Sequence, residues 1–136
     1  MKRLQRLIHR LGMAERIRVC DPVYGPDKWA LLNAAETLVL PSKSENFGLV
    51  VAEALYCGTP AVASRGSPWS SLETEGFGHW VDTENGGFAD AIQDVLSWTT
   101  EKRKQMSLRA RAFIENHFTW DKVADQYIRL YQDLFR

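Results

Sequence analysis

TLVLPSKSENFGLVVAEALYCGTPAVA, residues 37–63, places three structural elements in succession. Thr37–Leu40 is a continuous apolar run that stops at Pro41, the pattern of a parallel strand covered on both faces. Gly48–Cys57 is apolar nearly all round and Gly58 closes it, so a helix buried against a sheet is expected. Ala61–Ala63 then reads as the next strand. Strand, helix and strand in this order predict a βαβ unit and a parallel sheet.

Working outward toward the N-terminus, Leu4, Leu7, Ile8 and Leu11 share one helical stripe, with Gly12 as the stop. Ile17–Cys20 reads as a short strand ended by Asp21-Pro22, since proline lacks a ladder donor and keeps its predecessor extended. A turn at Gly25-Pro26 leads into a helix over Asp27–Ala35. Beyond residue 63, the Ser-, Gly- and Pro-rich stretch Ser64–Gly78 reads as loop, and His79–Val81 as one more short strand. The rest is helical in pattern. Phe88–Trp98 comes first, then Glu101–His117 with Met106, Ala110, Phe113 and Ile114 on one face. Trp120–Phe135 follows with Val123, Tyr127, Leu130, Tyr131 and Leu134. Thr100 and Thr119 stand where N-caps belong. The expected architecture is α/β: a parallel, Rossmann-like sheet with helices on both faces and a C-terminal helical tail. No internal repeat or low-complexity segment interrupts it.

The chain has 136 residues, enough for one domain with a core of its own. Lys and Arg total 17 and Asp and Glu total 17, so no net field favours nucleic acid. The longest apolar stretch, Leu49–Cys57, is interrupted by Glu53 and falls far short of the ~20 residues of a membrane span. The N-terminus carries no signal-peptide pattern, and a cytoplasmic protein is expected. Cys20 and Cys57 lie in segments expected to be buried and lack Cys-x-x-Cys spacing, which suits reduced core thiols.

Ligands of open α/β sheets bind beyond the carboxyl ends of the strands. The loop after Leu40 is the richest of these. It runs into a helix whose first turn leaves backbone N–H groups free to receive a diphosphate, assisted by the helix dipole. Gly48 keeps side-chain bulk away from that approach. Glu53 interrupts an apolar helix, and a buried carboxylate without a partner costs several kcal/mol, on the order of the desolvation penalty of an ion. Leaning toward the helix N-terminus, it can accept from two ribose hydroxyls. An ion pair with a nearby Arg or Lys, or an exposed helix face, satisfies it equally well. From the residues alone these alternatives stay open.

Pro41-Ser42, Glu45-Asn46-Phe47-Gly48-Leu49, Glu53-Ala54-Leu55 and Cys57-Gly58-Thr59-Pro60-Ala61-Val62 together resemble the Glu-x7-Glu signature of family 4 retaining glycosyltransferases of the GT-B fold. Val19–Val23 is similar to that family's strand and loop beside the base. Phe118-Thr119-Trp120 resembles its aromatic-Ser/Thr-Trp helix start, and Gly66-Ser67-Pro68-Trp69 resembles a loop of its lipopolysaccharide-core and capsule branches. The resemblance implies a donor-binding C-terminal domain, with a nucleotide-diphosphate sugar as substrate and no cofactor or bound metal. It implies that Glu45 bonds the donor sugar as the catalytic-site carboxylate and Glu53 the ribose. Asn46 completes the donor loop, and the N–H groups of Phe47, Gly48 and Leu49 receive sugar and diphosphate. Lys43 is a candidate phosphate partner and Val23, beside Tyr24, a candidate base contact. Trp69, Trp80 and His79 are candidates for the sugar end, while His9 and His117 read as surface residues.

The pattern departs from the family at Asp21, where relatives commonly carry Gly, and a carboxylate there repels a diphosphate unless it turns away. The family's first strands, with their Arg and Lys, and the acceptor domain have no counterpart in these residues. Residues 1–136 are therefore expected to be a partial donor domain, inactive alone, whose partner is the missing N-terminal domain. A non-catalytic nucleotide-sugar-binding module or an α/β interaction module is the alternative. An unpaired sheet edge is expected to draw in a second copy, and the whole enzyme to associate peripherally with a membrane.

Overall fold

The computed structural model describes residues 2–84 and 87–135. Helix α1 spans Lys2–Arg10 and α2 Gly25–Ala34. The sheet follows as β1 (Leu38–Leu40), α3 (Leu49–Cys57), β2 (Ala61–Ser64), α4 (Ser71–Thr74) and β3 (Gly78–Val81). Three helices complete the chain: α5 (Gly87–Ser97), α6 (Thr100–His117) and α7 (Trp120–Leu134).

The strands are parallel in the order β1-β2-β3, with Val39 opposite Val62 and Val62 opposite His79. β2 is the central strand and buried at every residue, whereas β1 is half covered, with Val39 38% exposed. The expectation of full cover for Thr37–Leu40 is thus corrected. β1 is an edge among the described residues, paired only to β2, and an edge strand is walled on fewer sides.

Ile17–Cys20 forms no strand, which corrects the second sheet expectation. Arg16 and Ile17 instead donate to the Met13 carbonyl, and the segment runs on as an irregular connector with Ile17 and Cys20 exposed. Extended propensity alone does not make a strand; a ladder partner is required, and none lies beside these residues. Cys20 is consequently not a core thiol, and Cys57 is only partly covered.

The core lies where α3, α4 and α5 pack on β2 and its neighbours and α6 packs along α3. Val51, Leu55, Val62, Leu72, Phe77, Val95 and Ala110 are buried in one cluster. Gly58 ends α3 with φ 82°, and a side chain there would strike Ser107 Oγ on α6, so glycine serves both the cap and the helix contact. On α6, Met106, Ala110 and Ile114 are buried and Phe113 packs against the cluster, the face expected from the spacing. Its cap is Thr99, whose side chain accepts from Lys102 N at 3.2 Å, one residue before the expected Thr100. Thr119 does stand at the α7 N-cap, without a side-chain bond.

The Ser64–Gly78 stretch contains one unexpected turn of helix, α4, held by buried Leu72. α1 buries only Ile8 of its stripe, and α7 buries none of its apolar residues. No helix among the described residues is long and apolar enough to cross a membrane.

Candidate functional site

Residues 41–48 join the carboxyl end of β1 to α3. Gly48 caps α3 in the left-handed region, φ 75° and ψ 58°, with no side-chain cap, and its carbonyl accepts from Val51 N at 2.8 Å. The N–H groups of Gly48, Leu49 and Val50 have no partner among the described residues. These are the donors that an anion at a helix N-terminus uses, worth roughly 0.3–2 kcal/mol from the dipole alone. A Cβ on Gly48 would lie 3.1 Å from Leu40 Cδ2, 3.2 Å from Glu45 Cγ and 3.4 Å from Trp69 Nε1. Glu45 is thereby placed: its half-buried side chain folds over the start of α3.

Glu53 stands in the second turn of α3 and meets Lys28 of α2 at 2.6 Å through Oε1. The two side chains are 24% and 30% exposed, so the pair is screened and its stabilising value is about 1 kcal/mol or less. Of the alternatives open for Glu53, the ion pair with a nearby basic residue is the one present. Oε2 has no protein partner among the described residues and still has room to accept a donor. Nothing in the spacing around Lys28 distinguished it from other surface lysines.

A second loop, on the carboxyl side of β2, grips the first. Ser64 Oγ donates to Ser42 O, Glu45 N donates to Gly66 O at 2.8 Å, and Trp69 Nε1 donates to Phe47 O. Ser67 Oγ closes on Ser64 O at 2.8 Å and Trp80 Nε1 on Ser67 O at 2.9 Å. The Phe47 ring stacks at a tilt against Trp69 and Phe118, with centroids 5.2 and 5.4 Å away. Trp69 is 1% exposed, which excludes it from a cleft lining and makes it a buried support. The Ser42, Ser64 and Gly66 contacts were not visible beforehand, because they depend on two loops from adjacent strands meeting.

The remaining candidates are less convergent. Asn46 and Lys43 are exposed on the loop and Leu49 at the start of α3, and Lys43 forms no ion pair among the described residues. Val23 and Tyr24 lie exposed in the connector before α2, and no hydrogen bond among the described residues ties them to the loop. His79 Nε2 instead meets Asp94 Oδ2 at 2.8 Å, and Trp98 Nε1 reaches the same oxygen at 2.9 Å. These hydrogen bonds, His79 first, hold the Asp94 carboxyl below its usual range. The hollows lined by Gln5, Ile8 and Ile17 and by Glu73, Gly76 and Arg109 include none of the loop residues.

A parallel sheet with a glycine-led helix at its carboxyl edge, Glu45 in the loop before that helix and Glu53 on it, defines an open α/β domain. Residues 1–113 match the family described as glycosyl transferases group 1, and the chain belongs to that family. It is 33% identical over 135 residues to the D-inositol 3-phosphate glycosyltransferases of Mycobacterium tuberculosis and Mycobacterium bovis, covering 95% of this chain and 27% of theirs. The chain therefore spans about a quarter of the length of these curated relatives. Among solved structures, sucrose-phosphate synthase from Thermosynechococcus elongatus superposes with a TM-score of 0.82 at 26% identity, over 98% of this chain and 34% of that one. Anabaena Alr3699/HepE in complex with UDP and glucose gives 0.79 at 24% identity, over 97% and 36%. The fold is that of the C-terminal-type domain of GT-B glycosyltransferases.

Proposed function

We propose that residues 1–136 form the donor-binding part of a family 4 glycosyltransferase that moves a sugar from a nucleotide-diphosphate sugar to an acceptor hydroxyl with retention of configuration. The observation that carries this reading is the convergence at one helix N-terminus of Gly48 in the left-handed conformation, the unpaired N–H groups of Gly48, Leu49 and Val50 among the described residues, and Glu45 with its Cγ beside Gly48. The diphosphate lies against the N–H groups of Gly48, Leu49 and Val50. Negative charge grows on it as the glycosidic bond breaks, and donors already oriented toward it stabilise that charge without reorganising. Glu45 positions the donor sugar by accepting from its hydroxyls. Glu53 offers Oε2 to the ribose while Lys28 holds Oε1, which spares the carboxylate part of its desolvation cost.

The family match supports glycosyl transfer, and the HepE structures hold UDP, which supports a nucleoside diphosphate here. The Gly66-Ser67-Pro68-Trp69 loop supports a place in the lipopolysaccharide-core and capsule branch, with a glycan or lipid-linked sugar as acceptor. The acceptor site, and the strands whose basic groups would meet the diphosphate, lie outside residues 1–136, which span about a quarter of the curated relatives, so these residues alone transfer no sugar.

Steady-state kinetics on the full-length protein test the roles, using UDP-, GDP- and ADP-sugars as donors. Glu45→Ala lowers kcat with nucleotide affinity retained, whereas Glu53→Ala raises the donor KM. Equal losses of nucleotide affinity in both variants overturn the division, and turnover by residues 1–136 alone overturns the need for a preceding domain.

A further inference from the structure

We infer that Trp69 is a positioning residue for the donor loop, acting through one peptide plane. The inference rests on the donor reading above and assigns to the buried indole a part in diphosphate binding. No cis peptide bond occurs among the described residues, so the Phe47 carbonyl and the Gly48 N–H lie on opposite sides of a rigid trans unit. Trp69 Nε1 donates to that carbonyl from the core side. Fixing the carbonyl inward aims the Gly48 N–H outward, toward the open N-terminus of α3. The restraint matters because Gly48 has the widest backbone freedom of any residue, and an unrestrained plane there swings readily.

The indole is itself immobilised. It is 1% exposed, its ring packs against both Phe47 and Phe118, and its carbonyl accepts from Leu72 N at 3.0 Å to begin α4. Its anchor is thus on the β2 side of the site, while the plane it holds belongs to the loop from β1. Gly66 joins the same clamp: a Cβ there would collide with the Lys43 carbonyl and push the two loops apart. Buried as it is, Trp69 acts through Phe47 and Gly48.

Trp69→Phe in the full-length protein removes the donor and keeps an aromatic ring. Calorimetry is run with whichever of UDP, GDP and ADP binds best and with the matching nucleoside. Losing one oriented hydrogen bond is expected to weaken the nucleoside diphosphate about fivefold. Nucleoside affinity stays unchanged, because a nucleoside makes no use of the Gly48 N–H. A purely space-filling tryptophan lowers the melting temperature without moving the diphosphate-to-nucleoside ratio. Gly66→Ala is expected to lower the ratio in the same direction, and it decides the matter if Trp69→Phe does not fold. A wild-type ratio in a folded variant overturns the inference and leaves the donor reading intact. Failure of the unsubstituted protein to prefer any diphosphate over its nucleoside refutes the donor reading, and this inference falls with it.

Discussion

Gly48→Ala separates what the loop contributes to folding from what it contributes to binding. The alanine would hold φ near 75°, a conformation that costs an L-residue about 1–2 kcal/mol. Its Cβ would meet Leu40 Cδ2 at 3.1 Å and Glu45 Cγ at 3.2 Å, contacts that yield if those side chains move by a few tenths of an ångström. Both are side-chain atoms of residues that are only partly buried, so the expected stability loss stays near the conformational figure. That corresponds to a drop of roughly 0.5–1 M in the urea midpoint. Gly76→Ala provides the control, with φ 68° and only Arg109 Nη2 nearby, at 3.6 Å. It should lose similar stability and no binding. Gly48→Ala should lose nucleoside diphosphate affinity more than tenfold, about 1.4 kcal/mol, because Glu45 and the Gly48 N–H are both displaced. Urea denaturation and calorimetry on the two variants suffice. If Gly48→Ala binds within twofold of wild type while destabilised like Gly76→Ala, the loop is not the diphosphate site.

The hydrogen bonds that depress Asp94 stabilise the β3–α5 junction above the usual aspartate value of 3.8, and this contribution disappears as pH falls through the depressed one. Urea midpoints measured downward from pH 5 should show a steeper acid loss in wild type than in Asp94→Asn, and parallel curves would remove the group from the acid transition. Burial pushes the Cys57 thiol up, with Arg111 opposing, while Cys20 is exposed. Iodoacetamide at neutral pH should therefore label Cys20 first, as mass spectrometry of digests will show, and faster labelling of Cys57 would contradict the packing of α3. The free edge of β1 and exposed Val39 favour strand pairing with a second copy of residues 1–136. Light scattering should then report a dimer at micromolar concentration, and a monomer across a wide range would refute it.

Elements whose stability is local or encoded by periodicity are legible in the sequence. Leu49–Cys57 with Gly58, the Ala61 strand, and the Met106–Ala110–Ile114 face all follow from spacing and from a residue type suited to a left-handed cap. Ile17–Cys20 has similar strand-like composition and failed, because a strand is made by its neighbour and no neighbour is specified by its own residues. α4 escaped notice because a single turn set among Ser, Gly and Pro has no period to read. At the loop, Gly48 and Glu53 stand out in the loop-to-helix pattern, and Glu45 only through the family resemblance. Lys28, Ser64 and the support role of Trp69 do not, since each acts between segments separated by 22 or more residues.

On the reading proposed above, the free N–H groups at the start of α3 receive the diphosphate of a donor nucleotide. Amide NMR of isotopically labelled full-length protein, titrated with nucleoside diphosphate and then with nucleoside, reports on those groups one by one. Saturable downfield shifts of the Gly48, Leu49 and Val50 amides with the diphosphate, and none with the nucleoside, are the predicted result. Saturable binding that leaves those three amides unmoved, or no binding at all, would contradict the account.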